Sequence, residues 1–441
     1  MMIYSKYIVW YAFLMLAITV EAQRTISGTF SPAEEYRWLI AYKLNPGSQA
    51  YMADTAIKDG KFTLVIPENE KTGIYRLVYA VPQEEFYFDV IHNGKEDVEL
   101  SFTTDSGLSF ISSEENILFH DYFKNINDLE QRIISFYQNG KTSETEFLDV
   151  AENLRDTQKM YEAKSKDMVC HDFIIANHPY IPSGYEPIQA YIKNKKQHYF
   201  DYLDFKNPVL QGSGFLIDKV LNYVFTALPM KELSPVEVEK EIQNNVEEIS
   251  AYTQDIDSSF STRLYHDLWI RMAANNLDAT SDFVYNNYLK ALAVKTGNEE
   301  IINNIETYNR LRFGTIAPEI SWENGKLSEL QGASTYVLVF WSSTCSHCLD
   351  ELPKLQEQLN GIADVKVVAV GLEDEGSSWK REAAKLTHFT HAISLGKWES
   401  QYAKLYAIAE TPTYFILDQD KKIVAKPKDY KGVISFLEGK N

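Results

Sequence analysis

Cys345-Ser346-His347-Cys348 is the stretch whose residue types and spacing are best suited to chemistry. A β-branched and aromatic run, Tyr336–Trp341, leads into it, and a helical pattern from about Cys345 to Leu359 leads away. A cysteine at a helix start meets unpaired backbone N–H groups and the positive end of the macrodipole, and both favour its thiolate. The thiolate is the nucleophile of thiol–disulfide exchange. A two-residue spacer puts the second sulfur one turn on, where it can attack a mixed disulfide and release the captured partner. Cys345 is expected to attack and Cys348 to resolve.

A structural disulfide or half of a zinc site are the plainer uses of such a pair. Zinc needs two further ligands, and the sequence has no second C-x-x-C and no paired histidine motif, so no metal and no other cofactor are expected. Three cysteines in 441 residues are too few for a disulfide framework. The third, Cys170, is expected to be a buried, inert helical thiol, with an intermolecular disulfide as the alternative.

The elements that must hold this pair are those of an α/β segment over 313–441. Tyr336–Trp341 and the apolar Val365–Gly371 read as buried strands, with a helical stretch near Trp379–Leu386 after them. Tyr414–Asp418 and Lys422–Lys426 read as further strands, and a last helix begins at about Val433. Continuous apolar strands between helices describe a sheet covered on both faces.

Residues 313–441 resemble the TlpA/ResA branch of exported thioredoxin-like proteins. The matching features are Ala317-Pro318, Val337-Leu338-Val339-Phe340-Trp341, the cysteine pair, Glu351 and Pro353, and Thr411-Pro412-Thr413-Tyr414-Phe415-Ile416. The resemblance implies a thioredoxin-like domain with a cis Pro412 beside the cysteines. Thr411, Pro412 and Trp341 would then be substrate contacts. It also implies that Glu351 takes up and returns the proton of Cys348, because ordinary thioredoxins keep a carboxylate where this chain has Val339. Two positions depart from the family: Thr344 replaces its tryptophan, and His347 replaces its proline. A protonated His347 beside Cys345 would stabilise the thiolate and make the disulfide more oxidising.

The function expected from this resemblance is an exported disulfide reductase, re-reduced by a membrane electron-donor protein. It would act on disulfide-containing or dithiol proteins, apocytochrome c among them. A periplasmic dithiol oxidase or isomerase is the alternative, and a binding or scaffold protein the non-enzymatic one. A peroxiredoxin is disfavoured, because its Pro-x-x-x-Thr-x-x-Cys loop would fall on Leu338 and Ser342.

Upstream, two accessory segments give a multidomain α+β chain. Residues 23–112 read as an N-terminal antiparallel β-domain, a sandwich or open barrel, with strands at Tyr36–Leu44, Lys61–Ile66, Ile74–Val81, Phe86–Ile91 and Asp97–Phe102. Asp59-Gly60 and Asn93-Gly94 are hairpin signals. Residues 113–312 read as a central helical domain. Ile117, Leu118, Tyr122, Ile126, Leu129, Ile133 and Ile134 form one stripe, and Ser143 with Glu146 and Ser234-Pro235 mark helix starts. Tyr199, Phe200, Tyr202 and Phe205 are expected in its core.

Residues 1–22 read as a signal peptide: Lys6, an apolar run from Tyr7 to Val20, then Val20-Glu21-Ala22. A spanning helix needs about 20 apolar residues, which this run lacks. The expected location is therefore the periplasm, reached by secretion across the inner membrane. The formal charge of −19 gives no basic footprint for nucleic acid.

Overall fold

The computed structural model describes residues 23–439, so the expected signal peptide, residues 1–22, lies outside the described residues. Two compact units result, one ending at Thr296 and the other starting at Gly297. No helix among the described residues is long and apolar enough to cross a membrane.

In the first unit, alternating side chains build a β-sandwich. One sheet runs in the order Lys61–Val65, Thr25–Ser31, Val98–Thr103, Gly107–Ser112. The other runs Ser48–Ala56, Trp38–Asn45, Gly73–Val78, Tyr87–His92. Strand residues two apart point the same way, so Phe62, Leu64 and Leu100 of one sheet pack with Leu39, Leu77 and Val90 of the other. The pairing is antiparallel except that Thr25–Ser31 runs parallel to Val98–Thr103.

Two hairpin expectations need correction. Asp59-Gly60 does make a tight two-residue turn, with reciprocal 2.9 Å hydrogen bonds between Lys58 and Lys61, but its flanking strands belong to different sheets. Asn93-Gly94 also joins strands of different sheets. There the Asn93 side chain accepts from the Lys95 N–H at 2.9 Å, satisfying a turn instead of a ladder.

Helices complete the same unit. Ser113 caps Glu114–Gln138, whose Tyr122, Ile126 and Ile133 are buried while Ile134 is exposed. The buried Asn116 ties this helix to the sandwich, exchanging two hydrogen bonds with the Ile91 backbone at 2.9 and 2.8 Å. Ser143 caps Glu144–Lys164, but Glu146 turns to Lys141 instead of closing the reciprocal bond. At Pro235–Thr253 the box of Ser234 and Glu237 is complete. Phe200 and Phe205 are buried, whereas Tyr202 is half exposed. Cys170 is fully buried, and burial with the nearby Glu115 pushes its thiol up to about 12.

The second unit opens with helix Glu299–Leu311 and carries a five-stranded sheet. Its order is Phe389–Leu395, Val365–Glu373, Thr335–Trp341, Thr413–Leu417, Ile423–Ala425. The first three are parallel, and the last two are antiparallel to their neighbours. All seven residues of the central strand, Thr335–Trp341, are buried. Val337, Val339 and Trp341 face Leu352 and Leu355 of helix Ser346–Leu359 and Val433 of helix Tyr430–Glu438. Tyr336, Leu338 and Phe340 face Leu311, Ile320 and Tyr406 on the other side. The sequence reading missed edge strand Phe389–Leu395, whose Thr390, His391 and Ser394 break the apolar run.

Candidate active site

The chain leaves the central strand at Trp341 and turns through Ser342-Ser343-Thr344 before the helix begins. The Cys345 N–H donates to the Ser342 carbonyl at 3.1 Å, closing that turn. Cys345 is then the N-cap of Ser346–Leu359, and its sulfur accepts from the Cys348 N–H at 3.3 Å. A sulfur thus occupies the capping position usually filled by a hydroxyl or carboxylate oxygen. Across the cleft, the Thr411-Pro412 bond is cis, and the Cys345 thiol donates to the Thr411 carbonyl at 3.3 Å. Cys345, Cys348, Thr411 and Pro412, picked out in the sequence 60 residues and more apart, therefore meet at one place.

The two thiols are shifted in opposite directions. Burial pushes Cys345 up, but hydrogen bonds from the Cys348 thiol and N–H, the Thr411 side chain and the His347 N–H outweigh it, so its pKa falls below the ordinary thiol value. Cys348 is fully buried, and that burial, with its donation to the neighbouring sulfur, pushes it up to about 12. One sulfur is partly exposed and the more readily ionised of the two. The other is kept as a thiol beneath it.

Glu351 lies one turn beyond Cys348 and is half-buried. Its Oε2 accepts from the Tyr414 hydroxyl at 3.0 Å and from the Tyr430 N–H at 3.2 Å. Tyr414 shares the buried cluster of Cys348, and its phenol is raised by burial first, then by the charge of Glu351, its bond to Glu351, and Cys348. Tyr414 was visible in the sequence as part of a strand and of the Thr411–Ile416 match, with no role of its own.

Trp341, expected among the substrate contacts, is 1% exposed and packs in the core under the helix, so as placed it offers a substrate no surface. The ring of His347 is exposed, and its backbone N–H is the group that contributes to lowering Cys345.

Sequence reasoning passed over Glu373. This buried carboxylate ends the second strand and accepts from the Ser343 N–H and, at 3.3 Å, from the Ser342 hydroxyl. It anchors the turn that presents Cys345. Its signal was the first of three successive acids, Glu373-Asp374-Glu375, closing the otherwise apolar run Val367–Leu372.

Residues 332–423 match the family model described as thioredoxin-like. No curated protein matches the chain. Among solved structures, the chain is similar to the thioredoxin domain of a thiol-disulfide oxidoreductase from Bacteroides vulgatus, at 22% identity over 29% of this chain and 97% of that one, with a TM-score of 0.27. A thiol:disulfide interchange protein from a Bacteroides species is 22% identical over 30% and 90%, with a TM-score of 0.25. A thioredoxin-like protein from Bacteroides caccae is 14% identical and covers 60% of this chain and 98% of that one, with a TM-score of 0.31.

Proposed function

We propose that the thioredoxin-like domain matched over residues 332–423 is a thiol–disulfide oxidoreductase working as an exported reductase of the TlpA/ResA type. The observation that carries the reading is the division between a lowered, accessible Cys345 and a raised, buried Cys348 on one helical turn.

In the reductive direction the Cys345 thiolate attacks one sulfur of a substrate disulfide. That S–S bond breaks, a mixed disulfide forms on Cys345, and one substrate thiolate leaves and takes up a proton. Cys348 then loses its proton and attacks the Cys345 sulfur, which expels the second substrate thiolate. Two electrons have passed from the cysteine pair to the substrate, and the Cys345–Cys348 disulfide remains for an external dithiol donor to reduce. A membrane protein on the same side of the membrane is the proposed donor, and periplasmic proteins with disulfides, apocytochrome c among them, are the proposed substrates. Glu351, with Tyr414, is the proposed acceptor of the Cys348 proton. Thr411 and Pro412 would line the substrate strand.

Cysteine replacement tests this reading. Cys348→Ser should accumulate mixed disulfides on Cys345 that non-reducing gels and mass spectrometry resolve, while Cys345→Ser should accumulate none. Adducts on Cys345→Ser instead would reverse the two roles. A pair found mostly oxidised in the cell, with substrate disulfides lost on gene deletion, would make the protein an oxidase.

A further inference from the structure

A cavity of about 220 Å³ opens directly beside the nucleophile, lined by Ser342, Thr344, Cys345, Leu372, Lys397, Trp398 and Thr411. Five of these belong to the two segments carrying the cysteine and the cis-proline, or to the strand between. Lys397 and Trp398 come from elsewhere, a short 3₁₀ turn after the edge strand.

That turn is held firmly. Gly396 has φ 100 and Lys397 φ 45, so a lysine stands in the left-handed region that side chains avoid. Such backbone persists where its surroundings over-determine it, and it gathers at functional sites. Here the Gly396 N–H donates to the Glu373 carbonyl at 2.8 Å, and the Lys397 ammonium pairs with Asp374 at 2.6 Å. Both anchors lie at the end of the strand whose Glu373 carboxylate holds Ser342 and Ser343. The turn bearing Trp398 and the turn bearing Cys345 are thus both fixed to Glu373, one through its carbonyl and the other through its carboxylate.

Trp398 is 48% exposed, although large aromatic side chains are normally covered. No ring-ring contact engages it among the described residues, in a chain where most aromatic side chains pack on one another. The lysine beside it is paired with Asp374, which leaves the indole of Trp398 and Leu372 as the apolar side of a lining that also carries Ser342, Thr344 and Thr411.

We infer that Trp398 is a specificity-determining residue that stacks on a bulky apolar or aromatic side chain flanking the reacting cysteine of an extended polypeptide disulfide. The inference rests on the proposed thiol–disulfide exchange at Cys345 and names the substrate class for it. The substrate sulfur meets Cys345, its backbone runs along Thr411, and the neighbouring side chain lies on the indole. A small disulfide with no such side chain gains nothing from Trp398.

The test uses the full chain with three oxidised substrates: hydroxyethyl disulfide, and two peptide disulfides that differ only in carrying Phe or Ser next to the cysteine. The wild type should prefer the Phe peptide in kcat/KM, through KM. Trp398→Ala should lower kcat/KM for that peptide roughly tenfold, the size of a lost aromatic contact, and abolish the preference. It should leave hydroxyethyl disulfide turnover and the Cys345 pKa unchanged, and Trp398→Phe should restore most of the preference. Equal wild-type rates on both peptides, or equal slowing of all three substrates in Trp398→Ala, would overturn the inference while leaving the exchange reaction standing. A wild type inert to all three would overturn both.

Discussion

The Tyr414 hydroxyl donates to Glu351 Oε2 at 3.0 Å, from the strand position that pairs directly with Val339. Val339 is where ordinary thioredoxins carry their buried carboxylate. The strand beside Val339 and the helix carrying Cys348 thus bring a hydroxyl and a carboxylate together.

This arrangement predicts a shared effect on the resolving step. Glu351→Gln should slow it by about 100-fold, the low end of general-base contributions, and Tyr414→Phe by about tenfold. The double variant should be little slower than Glu351→Gln alone, because the two groups act as one unit. In Glu351→Gln, the rate should climb with pH toward the Cys348 pKa of about 12, since thiolate must then form without help. Single-turnover kinetics on the mixed disulfide give all three rates. A wild-type pH profile in Glu351→Gln would remove the carboxylate from the mechanism.

Alkylation should separate the cysteines by pH. A lowered pKa means that Cys345 ionises at lower pH than an ordinary thiol, so the midpoint of its iodoacetamide rate profile should lie below that of a free cysteine. Cys348, raised and buried, should stay unreactive at the pH of that midpoint. Mass spectrometry of quenched time points reads both sites.

His347 offers two separable influences, a ring and an N–H. Proline removes both, and alanine only the ring. We expect His347→Pro to raise the Cys345 pKa by about one unit and lower the reduction potential by ~30 mV, with His347→Ala changing neither by half as much. Equal shifts in the two variants would assign the effect to the imidazole charge.

Glu373→Ala should destabilise the C-terminal unit by about 1–3 kcal/mol, because the buried Ser343 N–H loses its acceptor. Glu373→Gln, which retains an acceptor oxygen, should cost less. Urea unfolding compares the two, and an unchanged midpoint in the alanine variant would deny the anchoring role.

Trp341→Ala should cost about 3–5 kcal/mol in the same experiment, the price of emptying a large core site. The fraction that remains folded should keep its peptide preference. Loss of that preference in a stable Trp341→Phe variant would return this residue to the substrate site.

Local patterns made the nucleophile legible. Cys345 and Cys348 could be placed because an apolar strand, a two-residue spacer and a helix start sit within 20 residues. The helix caps at Ser143 and Ser234 are equally local. What escaped the sequence depends on pairing between distant segments. Tyr414 lies 63 residues from Glu351, and nothing in a continuously apolar strand marks one hydroxyl as aimed at a particular carboxylate. Asn93-Gly94 has strong turn chemistry, but turn chemistry does not say which sheet the chain enters next. Trp341 misled for a related reason: strand position fixes which face a side chain takes, and here that face is the core.

The complete burial of Thr335–Trp341 has a consequence for time as well as for geometry. Its amides, bonded to strands on both edges, can exchange with deuterium only when the unit opens as a whole. Those of Ser342, Ser343 and Thr344, a few ångströms further along the same chain, need only a local opening. Adjacent peptides from one digestion would therefore carry two clocks. A redox cycle or a bound substrate that merely tightens the active-site turn would slow the second and leave the first running at its old rate.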